Sequence, residues 1–531
     1  MFAYVLVVII IAIAVSAIAE RRGFQPALMV ASVGLAASYI PGIPHLELPP
    51  QVILGIILPP ILFSAARDFS FAEFRRRSPT IINLGVLLVF VSTVAAAGAA
   101  LLVLPGMLPL AALILGAAIA PPDAVTAIAV GRRAGLPVGL MTVLKGESLI
   151  NDAAALTIFA VLVAMATGTH AFIENVPVYF IYVASVGILI GFLVGTLAHR
   201  ANRRLQNPEL ATALMVLVPF VAYLVAEELH ASGVLAVVAA GFTVGHHAAQ
   251  SGYRRRLQEQ AFWRTADTLI EAFVFAYIGL QLRSVITEAA EDGYRLWDLL
   301  LAAGAIFVAI VAARFAWVFA TAGLTRWRQR RRPPAVAPLG RSELIVLSFA
   351  GMRGVVTLAA AAGTPLMVGD GSDFPDREAI ISLAFLVTVM TLLVQGLTLP
   401  WLINRLHLDD QHHRRFATNQ RARAEAMIRE TALAVLANYR VSHPTEAGRQ
   451  LAAKMEMRLR ADDPRMEQAG AFDPQEAVAL GQVLLTERRN RLVQARDNLE
   501  LDDTIVREML EKLDIEQAFM DSVTAGDDGP P

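Results

Sequence analysis

The sequence predicts an all-α polytopic membrane protein of thirteen spans with a helical tail in water. Three observations predict it. Hydrophobic residues make up 56% of the 531 positions and charged residues only 17%, for a mean hydropathy of +0.55. The apolar residues fall in runs long enough to cross a bilayer, which takes roughly 20 residues per helix. The loops between these runs alternate in positive charge. A soluble chain of this size would instead divide its apolar residues among domain cores and carry more charge outside.

The runs lie at about 3–19, 26–41, 51–66, 80–104, 108–130, 140–167, 177–198, 209–228, 233–249, 267–282, 298–323, 342–366 and 378–403. The first has no basic leader and no small-residue cleavage pattern, so it reads as a span and not as a signal peptide. Loops after the odd-numbered spans hold 21 Lys and Arg residues, and loops after the even-numbered spans hold 3. By the positive-inside rule the odd loops are cytoplasmic, the N-terminus is outside and the tail is cytoplasmic. One missed helix would scramble this alternation from that point on.

The 128 residues from Asn404 onward hold 18 of the chain's 45 Lys and Arg residues, about twice the density of the first 403. The chain therefore divides into a transmembrane domain, 1–403, and a cytoplasmic tail, 404–531. The tail is amphipathic in places, for example over Arg423 to Tyr439. It is either a solvated appendage or a regulatory domain. Its end, Thr524 to Pro531, reads as disordered. A net charge of −1 gives no sign of a nucleic-acid partner. The absence of cysteine excludes disulfides, thiolate metal sites and cysteine catalysis. No cofactor is implied.

An ionisable group inside a span costs at least about 2.5–3.5 kcal/mol near the bilayer centre, so each one asks for a reason. The spans keep Asp123, Lys145, Glu147, Asp152, Glu271, Arg314 and Arg353, with Glu227 and Glu228 near a span end. Span 6 reads Leu144-Lys145-Gly146-Glu147-Ser148-Leu149-Ile150-Asn151-Asp152-Ala153. At about 100° per residue, Ser148 and Asp152 share a face while Glu147 lies about 140° away from Asp152. The two carboxylates therefore meet different neighbours. Burial disfavours a bare carboxylate charge, which suits Asp152 to exchanging a proton for a metal ion near neutral pH. The plainer reading is an Asp satisfied by hydrogen bonds between helices.

Span 5 contains Ala120-Pro121-Pro122-Asp123. Two prolines in succession break the helix and free the carbonyls one turn back. Freed carbonyls beside the Asp123 carboxylate form a plausible alkali-cation site, as broken helices do in transporters. The plainer reading is a kink with Asp123 as a cap. Span 12 contains Gly351-Met352-Arg353-Gly354, glycines around a buried arginine that needs a counter-ion. Glu147 is the candidate. Spans 5 and 12 stand seven apart, the offset of two inverted six-helix repeats, 1–6 and 8–13, joined by span 7. Pro59-Pro60 in span 3 reads as a kink. Glu271 and Arg314 either pair or reach the interface by snorkelling.

These motifs resemble the monovalent cation:proton antiporter family that holds bacterial NhaP-type and animal NHE-type sodium/proton exchangers. The resemblance runs through most of the membrane domain. It rests on Leu58-Pro59-Pro60-Ile61-Leu62-Phe63, Pro122-Asp123-Ala124-Val125, the Gly146-to-Ala153 string, Ser232-Gly233-Val234-Leu235-Ala236 and Gly351-Met352-Arg353-Gly354. It implies a homodimer in the cell membrane whose mobile six-helix core carries Na⁺, Li⁺ or K⁺ against H⁺ in an elevator motion. It implies that Asp152 binds cation and proton, with Ser148 and Asp123 nearby, and that Asn151, Glu147 and Arg353 shape the site together with the Pro121-Pro122 break. Two positions depart from the family. Pro122 stands where many members have threonine, which removes a hydroxyl. Ser64 replaces an acidic residue common in relatives, with an expected effect on the outer funnel.

Asn151 beside Asp152 predicts electroneutral exchange. Electrogenic relatives carry an Asp in the first of these positions and a lysine near the position of Arg353; neither Asn nor, in practice, Arg gives up a proton. The competing reading is a cation channel or uniporter, which calls for a filter of repeated carbonyl loops not found in this sequence. An enzyme is not expected, since no zinc-protease or serine-hydrolase motif is present.

Overall fold

The computed structural model describes residues 2–40, 52–69, 71–123, 136–168, 175–247, 252–291, 295–329, 339–368, 371–406, 410–461, 474–498, 500–501 and 503–527. Among these, all regular structure is helical apart from one isolated bridge, Met367 with Asp373. The chain forms two compact units. The first comprises Met1–His246 and Ala261–Asp410, and the second His247–Gln260 and Gln411–Pro531.

The first unit begins with α1 (Phe2–Arg21) and α2 (Pro26–Ala37). A π-helical turn, Ile53–Ile57, then leads into α3 (Leu58–Arg67). The Pro59-Pro60 pair sits where this turn passes into α3, and both prolines lack the N–H that would bond back into the preceding turn. The widened turn before it absorbs the change of register. Next come α4 (Phe71–Ile82), a second π-helical turn (Asn83–Leu87) and α5 (Leu88–Val103). They are followed by α6 (Pro109–Ile119), α7 (Val138–Thr167), α8 (Val176–Arg204), α9 (Pro208–Glu228) and α10 (Gly233–His247). The remainder is α11 (Tyr253–Leu280), α12 (Leu282–Glu291), α13 (Leu296–Gln329), α14 (Arg341–Phe349), α15 (Val355–Ala362) and α16 (Arg377–Arg405).

Eight helices among the described residues are long and apolar enough to cross a membrane, and four shorter apolar helices accompany them. Two helices start well before the edges expected from hydropathy. α4 begins at Phe71 and α11 at Tyr253. The added segments are polar, so hydropathy reads them as loop. Arg, Leu, Gln and Glu are good helix formers, and extending an existing helix needs no new nucleus.

Small residues set the helix spacing. Gly187, Gly191 and Gly195 recur every four residues along one face of α8. A Cβ at any of them would collide with Ser232, Ala236 or Thr243 at or in α10. The two helices thus touch backbone to backbone, which suits packing without a hydrophobic driving force. Three apolar clusters fill the unit, and α7 contributes to all of them, through Ala154 and Ala155, through Leu149 and Ala153, and through Leu140 and Leu144. Its polar stretch is therefore held in the interior.

The second unit holds α17 (Asp410–Ser442), α18 (Glu446–Ala461), α19 (Pro474–Asp497) and α20 (Asp503–Asp527). α20 runs to Asp527, so the disorder expected from Thr524 does not begin there. Residues 528–531 lie outside the described ones. Ala424, Ile428, Leu485, Leu492, Val506 and Leu513 form one core, and Ala432, Leu436, Leu451 and Leu480 a second. Asp514 is 2% exposed and accepts from Arg256 Nε at 2.7 Å and Arg489 Nη2 at 2.9 Å. Tyr253 and Arg254 both donate to Asp521. The first turns of α11 are thus built into the tail's own unit. Asp514→Asn is expected to destabilise this unit by about 1.5–3 kcal/mol, the worth of a charged hydrogen bond. Faster amide exchange over residues 253–260 and 503–527 would report it, and unchanged exchange there would show that Asp514 does not hold the segment.

Candidate functional site

The backbone breaks where the sequence places the breaks. α6 ends with Ala120 N–H donating to Gly116 O, after which Pro121 and Pro122 offer no donor. The second half of span 5, from Ala124, lies outside the described residues. α14 ends at Phe349 and α15 begins at Val355, leaving residues 350–354 extended or irregular. The two breaks are laced together: Asp123 N–H donates to Met352 O at 2.6 Å. At Gly354 any Cβ would collide with the Asp123 carboxylate. Only glycine lets that carboxylate lie against the first turn of α15, whose free N–H groups favour negative charge.

Arg353 is 1% exposed and does not use Glu147 as its partner. Its Nε donates to Ile119 O at 3.0 Å and its Nη2 to Ala120 O at 3.4 Å; Nη1 donates to Gly351 O. Its backbone N–H donates to Thr391 Oγ1 at 2.9 Å. The guanidinium therefore caps the carbonyl end of α6 and the irregular turn after α14, where helix dipoles present negative charge.

The expected Glu147–Arg353 ion pair is corrected to Glu147–Arg314. Arg314 Nη2 donates to Glu147 Oε2 at 2.8 Å and Nη1 donates to Oε1. Arg314 Nε donates to Leu347 O at 3.1 Å, in the last turn of α14. The side chains are 2% and 3% exposed. Physically, the fork of Arg314 is free to meet a carboxylate in the bidentate geometry Arg favours, while Arg353 is occupied by carbonyls. Glu271 is accordingly not the partner of Arg314.

Five residues after Glu147, Asp152 looks elsewhere. It is 6% exposed, and among the described residues its carboxylate has no hydrogen bond or ion pair; Asp123 is near enough for the two charges to repel. Ser148 is half-buried one turn before it. Asn151 is 0% exposed, and its Nδ2 donates to Pro122 O at 3.0 Å, which ties α7 to the break after α6. Its Oδ1 has no partner. Asp152, Asp123, Asn151, Pro121, Pro122 and Arg353 thus meet around one crossing, while Glu147 sits in an ion pair to one side. No group of three or more His, Cys, Asp or Glu side chains stands ready to hold a metal ion among the described residues. Any cation held by Asp152 and Asp123 needs hydroxyl, carbonyl or water oxygens as well.

The sequence reading missed Asp267. It is the first residue of its expected span and four before Glu271, and that spacing on one helix face was the available signal. Its Oδ2 accepts from Ser64 Oγ at 2.7 Å, and its Oδ1 is buried without a partner. Glu271 is half-buried and feels the charges of both Asp123 and Asp267. Ser64 lies one turn before Arg67, toward the C-terminal end of α3.

The transmembrane domain described as sodium/hydrogen exchanger matches residues 5–405. The chain belongs to the sodium/hydrogen exchanger family. One relative, from Mycobacterium tuberculosis, is described as uncharacterized Na(+)/H(+) exchanger Rv2287; it is 32% identical over 530 residues, covering 97% of this chain and 96% of the relative. A sodium, potassium, lithium and rubidium/H(+) antiporter of Bacillus pumilus is 31% identical over 388 residues, 71% of this chain and 57% of that protein. Among solved structures, the sodium proton antiporter MjNhaP1 of Methanocaldococcus jannaschii at pH 8 superposes with a TM-score of 0.61 at 18% identity, covering 76% of this family member and 98% of that chain. That likeness shows a common fold.

Proposed function

We propose that this protein is a secondary active antiporter that exchanges Na⁺, or Li⁺ or K⁺, for H⁺. Asp152 binds cation and proton in competition. One observation carries the reading: a carboxylate buried beside the crossing of two broken helices, with no counter-ion among the described residues. A buried charge in that state needs a proton or a cation. The pair of bent helices around it supplies carbonyls and half-helix ends, the recurring equipment of transporter sites. The relatives' names point the same way, and the breadth of the Bacillus pumilus antiporter keeps Li⁺ and K⁺ beside Na⁺.

The rest of the architecture belongs to the same proposal. Eight long apolar helices, four short ones and the broken α14–α15 pair support thirteen spans in two inverted repeats. The loop charges support an outside N-terminus and a cytoplasmic tail from residue 404. A homodimer with an elevator-like core completes the picture. Purified protein in proteoliposomes tests it. A Na⁺ gradient is expected to drive proton movement of opposite direction, with no proton leak when the gradient is absent. Cation flux without proton movement would favour the channel reading instead.

Exchange is expected to be electroneutral. Asp152 then holds either one proton or one monovalent cation and is neutral in both cases, while Asn151 beside it has no proton to exchange. Asp123, Asp267 and Glu271 carry net charge past the site only if one of them also loads and unloads in each cycle. Varying membrane potential at fixed Na⁺ and pH gradients, with a nontransported ion setting the potential, decides this. The reversal point is expected to stay in place, and a reversal point that follows the potential would defeat the one-carboxylate mechanism.

A further inference from the structure

We propose that the Thr357 hydroxyl is a direct ligand of the transported cation, joining the Asp152 and Asp123 carboxylates; this rests on the antiport reading above. Thr357 is 0% exposed, and its Oγ1 has no hydrogen-bond partner among the described residues. Five other buried threonines show what is missing. Thr93, Thr157, Thr167, Thr243 and Thr388 each donate to the carbonyl four residues back, the usual outlet for a hydroxyl inside a helix. For Thr357 that carbonyl belongs to Arg353, which lies before the start of α15 and outside its helical geometry. The break that creates the ion site also strips Thr357 of its usual acceptor.

The face on which Thr357 sits is fixed by its neighbours. At about 100° per residue, Ala360 and Ala361 flank Thr357 at roughly 60° and 40° on either side. Both belong to the cluster formed with Ala117, Ala118 and Ala120 around the end of α6 and with Ala154 and Ala155 of α7. Thr357 therefore lies on the face of α15 that carries these alanines, one turn nearer the break. Gly354, three residues earlier, is in contact with the Asp123 carboxylate, and Asp152 and Asn151 lie in α7 a turn before Ala154 and Ala155. Thr357 Oγ1 and Asn151 Oδ1, one on each of the two helices that meet the Asp123 segment, are both buried without partners among the described residues. Hard cations take oxygen ligands such as hydroxyls, amide carbonyls and carboxylates.

The experiment uses the full chain with Thr357→Val, Thr357→Ser and Thr357→Ala. Valine keeps the shape and removes the hydroxyl, and serine keeps the hydroxyl. Thr364→Val is the control, since Thr364 Oγ1 is also buried and unpartnered but lies about two turns farther along, roughly 10 Å away. Proton flux is measured in proteoliposomes against NaCl, LiCl and KCl, and melting temperature is measured with and without NaCl. The expected result is a rise of about tenfold in half-saturating Na⁺ for Thr357→Val and Thr357→Ala at little changed maximal rate, with Thr357→Ser and Thr364→Val within twofold of wild type. In salt-free buffer Thr357→Val is expected to melt no lower than wild type, because an unpartnered hydroxyl has been replaced by a methyl, and NaCl is expected to stabilise it less. Half-saturation within twofold of wild type for both Thr357→Val and Thr357→Ala would overturn the proposal, as would an equal effect from Thr364→Val. If wild type moves no protons on a cation gradient, antiport fails; Na⁺-dependent melting lost in Thr357→Val would still support the ligand, and melting unchanged between the two would overturn it.

Discussion

Asp152→Asn is expected to end exchange while leaving a folded protein in the membrane. An amide supplies neither a negative charge for the cation nor a site for the returning proton. The substitution also removes a buried carboxylate that has no counter-ion among the described residues, so the folded state loses no ion pair. Removing an uncompensated buried charge is neutral or favourable to stability. The melting temperature should therefore hold or rise while cation-driven proton flux falls to the level of empty liposomes. Loss of flux with a much lower melting temperature would point to a structural role for Asp152. Retention of half the wild-type rate would remove it from the transport step.

The contrast between Asp152 and Glu147 also shows what a sequence can and cannot reveal here. The breaks at Pro121-Pro122 and at Gly351–Gly354 were legible because they are local: missing N–H groups and missing Cβ atoms act on their own backbone. The different surroundings of Glu147 and Asp152 were legible from helical periodicity. The partner of Glu147 was not. Two buried arginines were available, and the choice turned on which guanidinium was already engaged. Arg353 is engaged by Ile119 and Ala120, residues brought to it only when the broken helices cross. Asp267 was hidden for another reason. It sits where an apolar helix continues into a polar extension, and hydropathy draws the span edge at that position. The π-helical turns beside Leu58 and Leu88 leave no compositional mark that distinguishes them from ordinary helix.

The corrected ion pair makes a sharp prediction. Arg314→Ala strands Glu147, which is 1% exposed, and breaking a buried pair from one side costs roughly 3–5 kcal/mol. Glu147→Gln combined with Arg314→Met removes both charges at similar volume. That double variant is expected to melt well above Arg314→Ala and close to wild type, because the cost lies mainly in the unpaired charge. Glu147→Gln combined with Arg353→Met should show no such relief, since Arg353 is held by carbonyls that remain in place and unfilled when it is removed. The two double variants therefore separate the pairs. Arg353 lies beside Arg314, each guanidinium-bearing side chain approaching Gly351. In Arg314→Ala, Arg353 could turn toward Glu147 only by giving up its bonds to the end of α6. The break near Pro121 would then loosen, and cation affinity should fall along with stability. Thermal melts of the reconstituted single and double variants decide the matter: additive losses for Glu147 and Arg314, or relief in the Arg353 double variant, would return the pairing to Arg353.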